Sequence, residues 1–143
     1  MDTEPRHLTW ERRQAELWDR IFQVTQDVVM LSDTLEGGSG GSAVKEGVVK
    51  AALTVGTHLV RANAADDKAD FLKHLHEARM MAIETDYWLR MAYLLQQREE
   101  LQRDLSNIIT QYAAIIDLLH TFTRHAQTEN HVVSKHTRGP RVD

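Results

Sequence analysis

Residues 98–125, REELQRDLSNIITQYAAIIDLLHTFTRH, carry the pattern that decides the fold. Apolar residues recur in this stretch at alternating spacings of four and three, which places them on one face of an α-helix. The series is Leu101, Leu105, Ile108, Tyr112, Ile115, Leu119 and Phe122. The stretch therefore predicts an amphipathic helix that buries this face against other helices.

Three series upstream repeat this alternation and predict helices over residues 9–35, 42–62 and 67–95. The first contains Leu17, Ile21, Val24, Val28, Leu31 and Leu35, the second Val44, Val48, Ala52, Val55 and Leu59, and the third Phe71, Leu75, Ala78, Ala82, Thr85, Leu89 and Ala92. Thr9, Ser42 and Asp67 precede them and are residue types that cap helix N-termini. We expect Trp18, Phe22 and Val29 to widen the buried face of the first helix.

The connections between these segments are short, so consecutive helices are expected to be antiparallel neighbours. The sequence predicts an all-α protein, an antiparallel up-down-up-down four-helix bundle over residues 9–125. Residues 1–8 are expected to form an N-terminal extension, and residues 126–143 a disordered polar tail. Residues 37–41, GGSGG, are expected to stop the first helix, as a natural glycine-rich turn or as an engineered linker.

Composition limits the chemistry that the chain can perform. The 143 residues include no cysteine, which excludes disulfides, thiolate metal sites and cysteine nucleophiles. The N-terminal residues lack an apolar signal core and no apolar run reaches membrane-spanning length, so we expect a cytoplasmic protein without a membrane partner. A net charge of −4 gives no general attraction to nucleic acid.

No motif for catalysis or cofactor binding is present. His74 and His76 are two residues apart and point to different sides of a helix, and neither HExxH nor an inward Glu-x-x-His pair occurs. The glycine segment lacks the lysine of a phosphate-binding loop. We therefore expect a protein that is not an enzyme and has no metal or cofactor; a histidine site formed across helices or subunits is the alternative.

The stretch from Gly56 to Leu89, GTHLVRANAADDKADFLKHLHEARMMAIETDYWL, resembles the bacterial "four helix bundle protein" family. That family is related to proteins encoded by intervening sequences of large-subunit rRNA genes and to Avd, the accessory variability determinant of diversity-generating retroelements. The positions in matching register are Gly56, Ala62, Lys68, Ala69, Asp70, Phe71, Leu75, Ala78, Ala82, Glu84, Thr85, Tyr87, Trp88 and Leu89. Asp67 replaces the usual capping serine, and His58 replaces an asparagine.

The resemblance implies a homo-oligomer, commonly a pentamer, that acts as a non-enzymatic adaptor or scaffold. The residues assigned to assembly or packing are Gly56, His58, Phe71, Glu84, Tyr87 and Trp88. For Glu84, a solvated charge or an inter-helix salt bridge is the alternative to an assembly contact. For Gly56, the small residues Ala51 and Ala52 beside it suggest close approach of a neighbouring helix.

Apolar residues outside the helical series support self-assembly independently of the resemblance. Tyr87 and Trp88 are adjacent and point about 100° apart on a helix, so both cannot face one core. We expect one to pack between helices and the other to meet a subunit interface, where aromatic residues are enriched. Met80, Met81 and Met91 also lie outside the core series and suggest a second buried surface.

The basic residues of the second helix suggest a different function. Lys45, Lys50 and Arg61 stand against one acidic residue, Glu46, and symmetry could repeat this patch around an oligomer. The alternative function is therefore an Avd-like accessory protein that binds structured RNA or a reverse transcriptase through Lys45, Lys50 and Arg61. Ordinary solvated charges explain the same residues, and the patch lacks the interleaved aromatics of single-strand binders.

Overall fold

The computed structural model describes residues 6–35 and 38–128. It contains four helices: α1 (Arg6–Ser32), α2 (Gly38–Asn63), α3 (Lys68–Leu95) and α4 (Glu99–Thr128). Each helix packs against two others, in the cyclic order α1, α2, α3, α4. The predicted all-α four-helix bundle is confirmed. Within the described ranges, none of the helices is long and apolar enough to cross a membrane.

Most residues of the bundle core belong to the predicted apolar series; Ala62 and Ala65 are also in the core. All seven predicted positions of α3 and all seven of α4 are buried, and Ala126 adds one more turn to the α4 series. In α1 and α2, the central positions Ile21, Val24, Ala52 and Val55 are completely buried. Leu31, Leu35 and Val44, near the ends of these helices, are only partly buried.

Two helices begin earlier than their sequence signals indicated. α1 begins at Arg6 rather than near Thr9, and α2 begins at Gly38 rather than after Ser42. Gly38 has a φ of 64°, in the left-handed region that glycine tolerates, so the chain turns there and then enters the helix. The expectation of a glycine turn through residue 41 is therefore wrong for Gly38–Gly41, which form the first turn of α2. No proline there blocks helical dihedrals, and each residue added to the helix gains a backbone hydrogen bond.

The start of α3 follows the prediction. Asp67 has an extended backbone, and its carboxylate accepts a hydrogen bond of 2.8 Å from the backbone N–H of Asp70. This bond satisfies one of the free N–H groups of the first helical turn. The predicted N-cap at Asp67 is confirmed.

α1 begins three residues before its predicted start and ends at Ser32, three residues before its predicted end, whereas α4 ends three residues after its predicted end. Contacts near the two ends of the described chain explain the early start of α1 and the late end of α4. The Trp10 ring stacks on His125 at a centroid distance of 3.7 Å and meets the edge of Phe122 at 5.0 Å. The Lys68 ammonium donates to the Gln127 carbonyl near the end of α4. Residues 6–8 and 126–128 are thus helical, contrary to the predicted extension and tail, while residues 1–5 and 129–143 lie outside the described residues.

The outer part of the α1 apolar face is exposed. Trp18 is buried as predicted, but Phe22 is 54% exposed and Val29 is 39% exposed. The expectation that Phe22 and Val29 widen the buried face is wrong for a single chain. At about 100° per residue, both lie more than 100° around the helix from the centre of the face formed by Leu17, Ile21, Val24 and Val28, and therefore beyond the reach of the core.

Burial of Tyr112 in the core predicts sensitivity to alkaline pH. Its hydroxyl makes no hydrogen bond within the described chain, and burial raises the pKa of Tyr112 to about 12. The nearby Thr25 side chain lowers this pKa by less than burial raises it. An acid with a raised folded-state pKa holds its proton more tightly when folded, so stability is lost as pH rises from 10 toward 12.

We expect the free energy of unfolding to fall more steeply between pH 10 and pH 12 in the wild type than in Tyr112→Phe. The substitution removes only the buried hydroxyl and should change stability little at pH 7. Urea unfolding followed by circular dichroism at several pH values measures both slopes. Equal slopes would show that Tyr112 ionises as freely in the folded chain as in the unfolded chain.

Candidate functional site

α2 and α3 make the most extensive contact in the bundle, and this contact positions the candidate site. Small residues line it on both helices and let the two backbones approach; they are Ala51, Ala52 and Ala62 on α2 and Ala78 and Ala82 on α3. At Gly47 of α2, the Trp88 ring of α3 lies against the backbone. A Cβ added at Gly47 would fall 2.5 Å from this ring, inside its van der Waals surface.

Gly47, and not Gly56, is thus the glycine that close packing requires. A Cβ added at Gly56 would meet no atom within 4 Å, apart from the local helix backbone. The close-packing explanation for Gly56 is therefore wrong within the chain, and its role in assembly stays a prediction. Sequence reasoning missed Gly47, although its position four residues before Ala51, on the same side of α2, was a signal for close approach.

Tyr87 and Trp88 have different surroundings, as their adjacent positions predicted. Trp88 packs between α2 and α3, and Tyr87 is exposed. Phe71 is buried in the core and is a packing residue, whereas Glu84 is exposed on α3. Phe71 thus lies in the core and Trp88 between two helices, while assembly contacts of Glu84 and Tyr87 stay predictions.

A row of exposed apolar side chains follows the outer side of α3. It consists of Met80, Ile83, Tyr87 and Leu94, which we call the outer α3 stripe; they are 46%, 38%, 55% and 73% exposed, respectively. The spacings of three, four and seven keep these residues on one face. At about 100° per residue, this face lies opposite the α3 core positions such as Ala82 and Leu89. α3 thus has two apolar faces, of which the bundle buries one.

A polar cluster of His58, His74 and Glu77 lies between α2 and α3. His58 Nδ1 is 3.4 Å from His74 Nδ1, and His58 Nε2 is 3.4 Å from a Glu77 carboxylate oxygen. The two imidazole rings are nearly parallel, with centroids 5.6 Å apart. All three groups are satisfied when His58 donates from Nε2–H to Glu77 and accepts at Nδ1 from His74 Nδ1–H.

The environment of His58 favours the neutral imidazole. Burial lowers the pKa of His58 from 6.5, the Glu77 carboxylate opposes this effect, and His74 and Arg61 add to it. A neutral imidazole has one nitrogen with a free lone pair, which can accept a hydrogen bond or bind a metal. Chemically, the cluster can therefore transfer a proton or bind a cation.

The sequence predicted no metal site from spacing along single helices, and His76 is indeed exposed while His74 faces α2. The structure joins His74 to His58, sixteen residues upstream on another helix. No periodicity within one helix connects these two residues. The placement of His58 and His74 therefore matches the alternative stated above, a histidine site formed across helices.

The basic residues of α2 differ in their exposure. Lys50 and Arg61 are exposed and Lys45 is half-buried. Lys45 and Lys50 line an open groove that also includes Ser32 of α1, together with Glu46, Val49, Leu53, Thr54 and Thr57. Lys50 and Arg61 are about 16 Å apart along the helix axis, at 1.5 Å per residue. The structure thus brings Lys45 and Lys50 to one groove and leaves Arg61 three turns away.

Comparison with solved structures shows a bacterial protein of the same fold. It is a protein of unknown function from the S23 ribosomal protein family of Bacteroides thetaiotaomicron VPI-5482. The TM-score is 0.67 at 20% sequence identity, and the match covers 76% of this chain and 98% of that chain. No protein-family model and no curated protein matches the sequence. At this identity, the likeness shows a shared all-helical fold.

Proposed function

We propose that the chain is a non-enzymatic, homo-oligomeric adaptor or scaffold protein of the cytoplasm, with the outer α3 stripe buried between subunits. The exposed stripe is the observation that carries this proposal. Folding of one chain leaves Met80, Ile83, Tyr87 and Leu94 in contact with water. Contiguous apolar surface of this kind marks interaction sites, and Met and Tyr are typical of interface cores.

The spacing of the stripe favours another helix as its partner. Met80, Tyr87 and Leu94 recur every seven residues, and heptad spacing is the pattern by which two helices pack side by side. A second copy of this chain supplies such a helix at the same concentration as the first. Most soluble oligomers are closed symmetric assemblies of one chain, and a ring of more than two copies forms when the stripe packs against a different surface of the next copy. The resemblance of the Gly56–Leu89 stretch implies a pentamer, and we propose a ring of five copies.

Charge substitutions in the stripe test the proposal. We expect Tyr87→Glu with Leu94→Glu to dissociate the assembly, because burying two carboxylates without partners is strongly unfavourable. Light scattering after size exclusion should show a mass of about 82 kDa for the wild type, five times the 16.4 kDa of one chain, and about 16 kDa for the variant. Helicity by circular dichroism should be unchanged, since both side chains are exposed in the single chain.

The matched control is Phe22→Glu with Val29→Glu. These two α1 residues are also exposed and apolar, but they lie outside the stripe. We expect this variant to keep the wild-type mass. Loss of assembly in the control but not in the stripe variant would assign the subunit interface to α1 instead.

A second candidate function, RNA binding through α2, is favoured by the groove that contains Lys45 and Lys50. The solved structure that shares this fold is described as a member of a ribosomal protein family, which supports the same candidate. In this proposal the chain is an Avd-like accessory protein for structured RNA or a reverse transcriptase. The net charge of −4 counts against it, because phosphate contacts need local positive charge.

Filter binding to a structured RNA at about 50 mM salt distinguishes the two functions, since low salt favours phosphate contacts. RNA binding predicts that Lys45→Glu with Lys50→Glu and Arg61→Glu abolishes retention of the RNA. The control reverses three exposed charges elsewhere, at Lys73, Arg103 and Arg124. Equal loss in both variants would indicate a general charge effect, and no retention by the wild type would reject RNA binding.

A further inference from the structure

We propose that His58, His74 and Glu77 form a binding site for a divalent transition-metal ion of the Zn²⁺ type between α2 and α3. Two imidazole nitrogens and one carboxylate are a ligand set that protein zinc sites use, with a fourth position left for water. The site does not depend on the proposed oligomer. Through a metal ion, it would join the two helices that make the most extensive contact in the bundle.

The distances between the donor atoms fit such an ion. One donor atom from each of the three residues can be chosen so that all lie within 4.8 Å of one another. His58 Nδ1 and His74 Nδ1 are 3.4 Å apart. Two nitrogens bound tetrahedrally at about 2.05 Å from zinc are separated by about 3.4 Å, so the two histidines already have the spacing of adjacent ligands.

The carboxylate can complete the set with a side-chain movement. Glu77 follows His74 by three residues, so both side chains lie on the side of α3 that faces α2. The Glu77 side chain is 39% exposed and can rotate toward the two Nδ1 atoms, while the His58 side chain, at 11%, is held by its surroundings. His58 on α2 is thus the fixed ligand, and Glu77 on α3 is the ligand that moves.

The protonation state of His58 is compatible with metal binding. Metal ions bind the neutral imidazole, and the burial that lowers the pKa of His58 favours this form at neutral pH. The same three groups could instead form only the hydrogen-bonded chain from His74 through His58 to Glu77. In that case the cluster links the helices by hydrogen bonds, and added metal finds no preferred site there.

Cobalt and zinc titrations of the full chain distinguish the two cases. Co²⁺ in a site of nitrogen and oxygen ligands gives visible absorption bands, and Zn²⁺ displaces it. We expect the wild type to bind one Co²⁺ per chain. In His74→Ala and Glu77→Gln, the affinity for Co²⁺ should fall by about 100-fold or more, because removing even an outer partner of a metal ligand costs about 10- to 100-fold in affinity. Both residues are partly exposed, so these variants should fold; circular dichroism checks this.

The matched control is His76→Ala, which removes an exposed histidine of the same helix two residues from His74. It should bind Co²⁺ as the wild type does. The proposal is overturned if the wild type binds no stoichiometric metal, or if His74→Ala and Glu77→Gln bind as tightly as the wild type. Binding that falls equally in His76→Ala would also overturn it, because it would assign the metal to surface histidines.

Discussion

Replacement of Leu89 by alanine is expected to lower the free energy of unfolding by about 2–5 kcal/mol. Leu89 is completely enclosed in the core and belongs to the α3 series between Thr85 and Ala92. The substitution removes buried apolar surface and leaves a cavity that the packed helices can only partly close. Urea unfolding measures this loss of stability. The measurement is made in the Tyr87→Glu, Leu94→Glu variant, so that subunit association does not contribute to the free energy of unfolding.

Leu53→Ala is the matched control for this experiment. It is the same substitution on the adjacent helix α2, but Leu53 is half-exposed. We expect its effect in the monomeric background to be within about 0.5 kcal/mol, as for other surface substitutions. If Leu53→Ala cost as much as Leu89→Ala, the assignment of the inner and outer faces of the bundle would be wrong.

Gly47→Ala is expected to destabilise the protein by up to about 2 kcal/mol, although alanine is the better helix former. The added methyl group would overlap the Trp88 ring, which lies 2.5 Å from its position. Overpacking of this kind costs about 1–3 kcal/mol, and the gain of about 1 kcal/mol in helix propensity only partly offsets it. Urea unfolding of the single and double variants measures the net effect.

Two comparisons isolate the steric cause. Gly56→Ala places the same methyl group in open space, so it should stabilise α2 by about 0.5–1 kcal/mol. Removal of the ring in Trp88→Ala should change the sign of the Gly47 effect, so that Gly47→Ala becomes stabilising in that background. A destabilising Gly47→Ala in the Trp88→Ala background would show that the ring is not the cause.

The sequence was sufficient for the core because burial in a bundle repeats with the period of the helix. In α3 and α4, the alternation of four and three identifies every core position from Phe71 to Ala92 and from Leu101 to Phe122. Helix ends were less predictable, since they depend on contacts between distant segments. The stacking of Trp10 on His125, for example, joins residues more than a hundred positions apart.

The candidate sites depend on how the helices are placed relative to one another, which the spacing of apolar residues along one helix does not specify. Tyr87 and Trp88 could be separated from sequence, because adjacent residues of a helix cannot share one direction. The His58–His74 contact and the Gly47–Trp88 contact require the relative shift and rotation of α2 and α3. The packing of small residues between α2 and α3 sets this shift and rotation.

Sedimentation equilibrium of the wild-type chain at micromolar concentration tests most directly whether the outer α3 stripe is a subunit interface. We expect a single species of about 82 kDa, five times the chain mass of 16.4 kDa. Another closed oligomer would revise the number of copies while keeping the stripe as the interface. A mass of 16.4 kDa that does not increase with concentration would contradict the proposal that the protein functions as an assembly.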